Sequence, residues 1–228
     1  MGVVEGESGA LTLVGILADG MGGLSNGDYA SWVLCDSVRQ QVLEGKVSPK
    51  NLAMGIIKAN KEIYTHSQQE EEKSGTTGTL VTLNLQTGKY LNLHIGDSRM
   101  YVLRGDGGEV EKVTEDHTAY NKYLKETPEK LESMGNKEKE KLKSRLTRCI
   151  GISPEIMLDI NEGYVGSGDA ILLASDGFWH GVESSESWEM LMNGKQGVLE
   201  ELSSKFITQC NESDNQTAVF VKLTTEGK

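Results

Sequence analysis

The sequence predicts an α+β fold in which helices cover antiparallel sheets, and three observations lead there. Apolar, β-branched runs such as LTLVGILAD (11–19) and DAILLASD (169–176) have the length and composition of buried strands. Two longer stretches, 25–45 and 48–69, repeat apolar residues at the three- to four-residue spacing of a helix face. Strands and helices also come in blocks rather than in strict alternation, which favours segregated layers over a parallel α/β sheet.

Taken in order, LTLVGILAD reads as the first buried strand. In SNGDYASWVLCDSVRQQVLEG the positions Ala30, Val33, Leu34, Val38 and Val42 define a helix, with Ser25 or Asn26 as its cap. A second helix begins at Ser48, a capping residue, with Pro49 suited to the first helical position. GTLVTLNL, YLNLHIGD, SRMYVLRG and VEKVT follow as strands joined by the short turns QTGK and DGGE, a pattern that predicts an antiparallel meander. From Asp116 to about Arg148 the chain becomes highly charged and predicts short solvated helices in an excursion from the core, a flap at about 117–148. Strand character returns at IMLDINEGYV and DAILLASD, helices are expected near 185–192 and 195–210, and QTAVFVKL closes the chain as a strand.

The composition sets limits on function. With 228 residues, 37% hydrophobic, and only 3 prolines, residues 1–228 are expected to form one folded domain. A formal net charge of −11 argues against attraction to nucleic acid or to an anionic membrane, while leaving local binding of a divalent cation open. Cys35, Cys149 and Cys210 are too scattered for a disulfide framework, and no leader or membrane-spanning run is apparent, so a cytoplasmic protein is expected. The sequons at Asn211 and Asn215 then have no expected use.

Candidate chemistry lies in three carboxylates. VGILADGMGG and AILLASDGFW each deliver an Asp-Gly pair at the end of an apolar run, and Asp214 precedes the last strand. Any one Asp-Gly is also an ordinary tight-turn element. Three aspartates at strand ends, without a His or Cys pair beside them, suit a hard, oxygen-liganded ion such as magnesium or manganese better than zinc.

Seven segments in order, ADGMGG (18–23), SGTTGTLV (74–81), HIGDSRMYVLR (94–104), TEDHT (114–118), RLTRCIG (145–151), GDAILLASDGFW (168–179) and DNQTAVFV (214–221), give the chain a resemblance that covers nearly its whole length. The sequence resembles the metal-dependent Ser/Thr protein phosphatases, the PPM or type 2C family, in its bacterial form. The resemblance implies two antiparallel β-sheets in a sandwich flanked by helices, an αββα four-layer arrangement with a two-metal centre at one end. It implies that Asp19 bridges two Mn2+ or Mg2+ ions, that the Gly20 carbonyl binds one of them, and that Asp176 and Asp214 complete the protein ligands. Asp19 and Asp176 are thus the residues expected to carry catalysis, through a metal-activated water. The implied partners are phosphoserine and phosphothreonine proteins and a cognate Ser/Thr kinase, with a monomer, no nucleic acid and no membrane.

Two departures qualify that pattern. Active members carry an RxxNED-like segment whose Arg grips the substrate phosphate, but the eighteen residues before Asp19 hold neither Arg nor Lys. Replacements by residue type are Arg99, Arg104, Arg145 and Arg148, with Arg99 expected to be structural. A third ion in bacterial relatives uses two aspartates; Asp97 matches one, but His180 stands at the other, which implies a weak third site. The missing Arg also motivates an alternative, a catalytically weak phosphatase-like binding or regulatory module. His117, Thr76 and Thr77 are expected to make structural hydrogen bonds, and Trp32, Trp179 and Trp188 to pack in the core.

Overall fold

The computed structural model describes all residues except 6–8, 22–25, 106–108, 195, 210–213 and 225–228. Ser25, Cys210, Asn211 and most of the DGGE turn therefore lie outside the described residues. Two antiparallel sheets stack face to face. The first contains β1 (Gly2–Glu5), β2 (Leu11–Leu17), β3 (Gly78–Asn84), β4 (Lys89–Ile95) and β7 (Asp159–Tyr164), in that spatial order. The second runs β6 (Val110–Lys112), β5 (Arg99–Leu103), β8 (Ala170–Ala174) and β9 (Ala218–Lys222).

Leu13, Leu17, Val81, Leu83, Met100, Val102, Ile171 and Leu173 fill the space between the sheets. Removing such side chains from water is the main stabilising term, about 1.5–3 kcal/mol for each fully buried Leu, Val or Met. On the outer face of the first sheet lie α1 (Gly27–Leu43) and α2 (Pro49–Gln69), whose apolar stripes carry Leu34, Val38, Ile56 and Ile63 into a second core layer with Leu80 and Leu93. On the outer face of the second lie α6 (Asp176–Val182), α7 (Ser185–Asn193) and α8 (Val198–Gln209), packed through Phe178, Leu191, Leu202 and Phe206. The four-layer αββα order expected from the resemblance is present.

Helix α2 starts as its sequence predicts: the Ser48 hydroxyl accepts from the Asn51 N–H, with Pro49 inside the first turn. In α1 the cap position is Asn26, but its side chain makes no capping bond and donates instead to Glu72. Three short helices, α3 (Ala119–Glu126), α4 (Pro128–Ser133) and α5 (Asn136–Lys143), occupy the charged stretch and share a small core of Ala119, Leu131 and Leu142.

Four readings need correction. The meander breaks between β4 and β5, which lie in different sheets. The backbone of Gly96, between them, is engaged by His117: its N–H donates to His117 Nδ1 at 2.9 Å and its carbonyl accepts from the His117 N–H at 2.8 Å. Those groups are unavailable for hairpin pairing, and the chain crosses to the second layer. Strand β1, only four residues long (GVVE) and not predicted, pairs with β2 from Gly2↔Val14 to Glu5↔Leu11. Asp176 opens a helix as well as ending a strand. Trp32 is 63% exposed, on the outer side of α1, and packs in no core.

Among the described residues, no helix is long and apolar enough to cross a membrane. Cys35 and Cys149 are free thiols.

Candidate metal centre

The aspartates collect at one end of the sandwich because strand ends deliver them there. Asp19 follows β2 by two residues, and its backbone is clamped by the start of the β3 segment. The Thr77 N–H and the Thr76 hydroxyl both donate to the Asp19 carbonyl at 2.9 Å, while the Asp19 N–H donates to the Thr77 hydroxyl at 3.1 Å. Thr77 and Ser98 hydroxyls share a further bond of 2.7 Å, which ties this clamp to the loop carrying Asp97. Thr76 and Thr77 thus have the structural role expected, with a definite target.

Gly20 is a glycine for a reason the sequence did not disclose. A Cβ there would stand 2.2 Å from the Gly27 carbonyl oxygen, so the backbone at the start of α1 occupies the space a side chain would need. Gly177 has a similar constraint: a Cβ would meet the Asn215 carbonyl oxygen at 2.5 Å and the Asp214 Cβ at 3.1 Å. The loop bearing Asp214 therefore lies directly on the first turn of α6. Ser175 fastens it, with the Ser175 N–H donating to the Thr217 carbonyl and the Thr217 N–H to the Ser175 hydroxyl, both at 3.0 Å.

These constraints bring Asp19, Asp176, Asp214 and Asp97 within electrostatic reach of one another. Burial first, then the charge of Asp176 and a side-chain hydrogen bond with it, push the Asp19 carboxyl up to about 8, with Asp214 and Asp97 adding to the effect. Asp97 is pushed up to about 7 by burial and by the charges of Asp176 and Asp116. Converging carboxylates of this kind require a proton or a cation between them. Among the described residues no three His, Cys, Asp or Glu side chains already form a ready-made metal cage. Asp176 and Asp214 each accept from the N–H of the next residue, at 2.8 and 2.7 Å.

Asp97 is held through its backbone and neighbours. Trp179 Nε1 donates to the Asp97 carbonyl at 3.0 Å, and the Arg99 guanidinium lies 3.2 Å from the Trp179 ring centroid. Arg99 in turn donates to both Asp116 oxygens, at 2.9 and 2.6 Å, and to Glu183 at 2.7 Å, which also accepts from the Tyr101 hydroxyl at 2.7 Å. Since Trp179 lies within α6 and Glu183 is its C-cap, this girdle fixes the middle and the C-terminal end of the helix. Arg99 is structural, as expected; Asp116, Glu183 and Tyr101 are supporting residues that sequence reading missed.

His117 is buried and bonded to a turn. Its Nδ1 accepts from Gly96, which leaves the proton on Nε2; Nε2 lies 2.9 Å from Asp159 and 2.8 Å from Nη1 of Arg148, whose Nη2 donates to Asp159. His94, also unnoticed in the sequence, is completely buried between Thr79 and the Glu115 carbonyl; burial, then the neighbouring His117, lower it to about 4.

A cleft of about 260 Å³ next to this cluster is lined by the carboxylates of Asp97, Asp116, Glu140 and Asp176 together with His180, Lys112, Tyr120 and Lys143, while Asp19 and Asp214 are not among its lining residues. Asp97 and His180 both line it. Of the four arginines considered as phosphate clamps, only Arg99 lines it, and Arg99 is committed to Asp116 and Glu183. Arg104 is bound to Asp169 and Glu111, and Arg148 to Asp159 and the Met157 carbonyl.

A carboxylate-rich cleft at the end of a two-sheet sandwich defines a class of metal-dependent hydrolases, and comparison with known proteins places the chain within it. It belongs to the protein phosphatase 2C family, whose model matches residues 3–210. It is 30% identical to the serine/threonine phosphatase Stp of Listeria innocua over 216 residues, covering 91% of this chain and 83% of that one. Its fold superposes on the serine/threonine phosphatase PstP/Ppp of Mycobacterium tuberculosis with a TM-score of 0.75 at 26% identity, covering 93% and 88% of the two chains. The PPM Ser-Thr phosphatase MsPP of Mycobacterium smegmatis, solved in complex with cacodylate, gives 0.73 at 25% identity, with 92% and 88% covered.

Proposed function

We propose that this chain is a metal-dependent protein phosphatase that hydrolyses phosphoserine and phosphothreonine in proteins at a centre for two manganese or magnesium ions. One observation carries the reading beyond family membership: Asp19 is hydrogen-bonded to Asp176 at a strand end, and burial first, then the charge of Asp176, drives its carboxyl far above the usual carboxylate range. The donor set fits the ions, since it consists of carboxylate and backbone oxygens, the preferred partners of hard divalent cations.

Asp19 would bridge the two ions, the Gly20 carbonyl would bind one, and Asp176 and Asp214 would complete the set. Asp97 and His180 are proposed for a weak third site. The chemistry the ions supply when bound is stabilisation of phosphoryl charge and a more acidic water near neutral pH. The chain's own residues position that chemistry. Thr76 and Thr77 hold the Asp19 backbone, Ser175 and Gly177 seat the Asp214 loop, and Trp179 and Arg99 set the Asp97 loop against α6. Phosphoproteins are the substrates; a cognate Ser/Thr kinase as partner, a monomeric state and a cytoplasmic location belong to the same proposal.

The test is hydrolysis of p-nitrophenyl phosphate and a phosphothreonine peptide with manganese, beside an Asp176→Asn variant. Turnover should require manganese and fall on the order of a hundred- to a thousandfold in the variant, the scale of losing one group that stabilises transition-state charge. Equal turnover by the variant, or none by the native chain, would leave the phosphatase-like binding module as the better description.

A further inference from the structure

The lining of the cleft carries both carboxylates and lysines. Asp97 and Asp176 in its lining are accounted for by the metal centre, and Asp116 and Glu140 by Arg99 and Lys143, but the ammonium groups of Lys143 and Lys112 have no part in that chemistry. We infer that Lys143, assisted by Lys112, reads acidic side chains flanking the phosphorylated residue, so that this chain prefers phosphoproteins dephosphorylated within acidic stretches. The inference rests on the phosphatase reading above and specifies its substrate class.

Three features support it. Lys143 is fixed at its root, because the neighbouring Leu142 is buried with Ala119 and Leu131, while its ammonium sits 5.6 Å from the Tyr120 ring centroid beside the cleft. Its charge is only loosely engaged: the partner is Glu140, one turn back on the same helix at 2.8 Å, with both side chains more than half exposed. Such pairs are worth about 0.2–1 kcal/mol, so exchange for a substrate carboxylate costs little. Lys112 approaches Asp116 at 3.6 Å, beyond hydrogen-bond distance, and Asp116 already accepts from Arg99 at 2.6 Å. Both lysines can therefore turn to a ligand without leaving a buried carboxylate unpaired.

A volume of about 260 Å³ is slightly below the roughly 300–1,000 Å³ of sites for drug-sized ligands. It suits a phosphorylated side chain with a short neighbour better than a large cofactor. With phosphate drawn to the dications at the aspartates, ammonium groups in the adjoining cleft would pair with a flanking Asp or Glu, which favours an acidic flank and disfavours a basic one.

The experiment uses the full chain with manganese and two phosphothreonine peptides that differ only in bearing Asp or Lys on both flanks, with p-nitrophenyl phosphate as a substrate that has no flanks. The native chain should favour the acidic peptide in kcat/KM by about fivefold, the scale of one exposed ion pair, and added salt should erode the preference. Lys143→Glu should abolish or invert the ratio, and Lys143→Arg should keep it. An unchanged ratio in Lys143→Glu overturns the inference. So does an equal fall on all three substrates, which would make Lys143 a phosphate-holding group instead. If the native chain with manganese hydrolyses none of the three, the phosphatase reading itself has failed, a result distinct from either.

Discussion

Asp97 and Asp116 lie close together and are almost equally buried, 7% and 8% exposed, yet they are treated differently by their surroundings. Asp116 receives both arms of the Arg99 guanidinium, and Lys112 stands near as well. Asp97 has no ion pair among the described residues and faces Asp176 and Asp116, so that burial and repulsion drive its carboxyl up to about 7. A chain that commits an arginine's hydrogen bonds to one buried carboxylate and leaves the next with only a partial offset from that arginine's charge shows which is structural. The same contrast separates Asp159, whose partners Arg148 and His117 hold it below its ordinary value against the opposing effect of burial, from Asp19.

The largest expected effect comes from breaking the compensated side. Arg99→Met leaves Asp116 buried without its main partner and should cost about 3–5 kcal/mol in chemical denaturation, whereas Asp97→Asn should leave the metal-free chain as stable or more so. Comparable losses in both would erase the distinction between the two carboxylates. A smaller effect is expected at Gly177→Ala, where the added methyl must displace the Asn215 carbonyl and with it the Asp214 loop. Manganese affinity, followed by calorimetry, should fall roughly ten- to a hundredfold, as it does when a group supporting metal ligands is disturbed.

The smallest concerns His94. Its folded-state value, about 4, lies below the ordinary 6.5, so between those values the unfolded chain binds more protons than the folded one. Stability from this residue is then complete above pH 6.5 and is lost as pH falls towards 4, by an amount on the order of 1–3 kcal/mol. A His94→Gln variant should lose that part of the acid dependence of urea midpoints; the native slope persisting in the variant would show that another group is responsible.

Much of this was legible in the sequence, for reasons that can be named. LTLVGILAD and DAILLASD announce strands because their burial demands continuous apolar side chains, and Ser48-Pro49 announces a helix start because the cap is local chemistry. Asp19 and Asp176 could be singled out because each stands where a strand stops, and Asp214 because it stands shortly before one begins. What stayed hidden depends on distant partners. The layer change at Gly96 is set by His117, twenty-one residues on, and the girdle around Arg99 requires Glu183 to arrive from the far end of α6. The need for glycine at position 20 comes from the approach of Gly27. Lys143 lies in a lysine-rich run whose composition gives no hint of which member faces the cleft.

The central claim, that the converging aspartates exist to hold divalent cations, is tested most directly by manganese stoichiometry. Equilibrium binding followed by calorimetry should find at least two Mn2+ per native chain, and fewer in Asp19→Asn with its fold intact by circular dichroism. No binding by the native chain, or the same stoichiometry in the variant, would contradict the account.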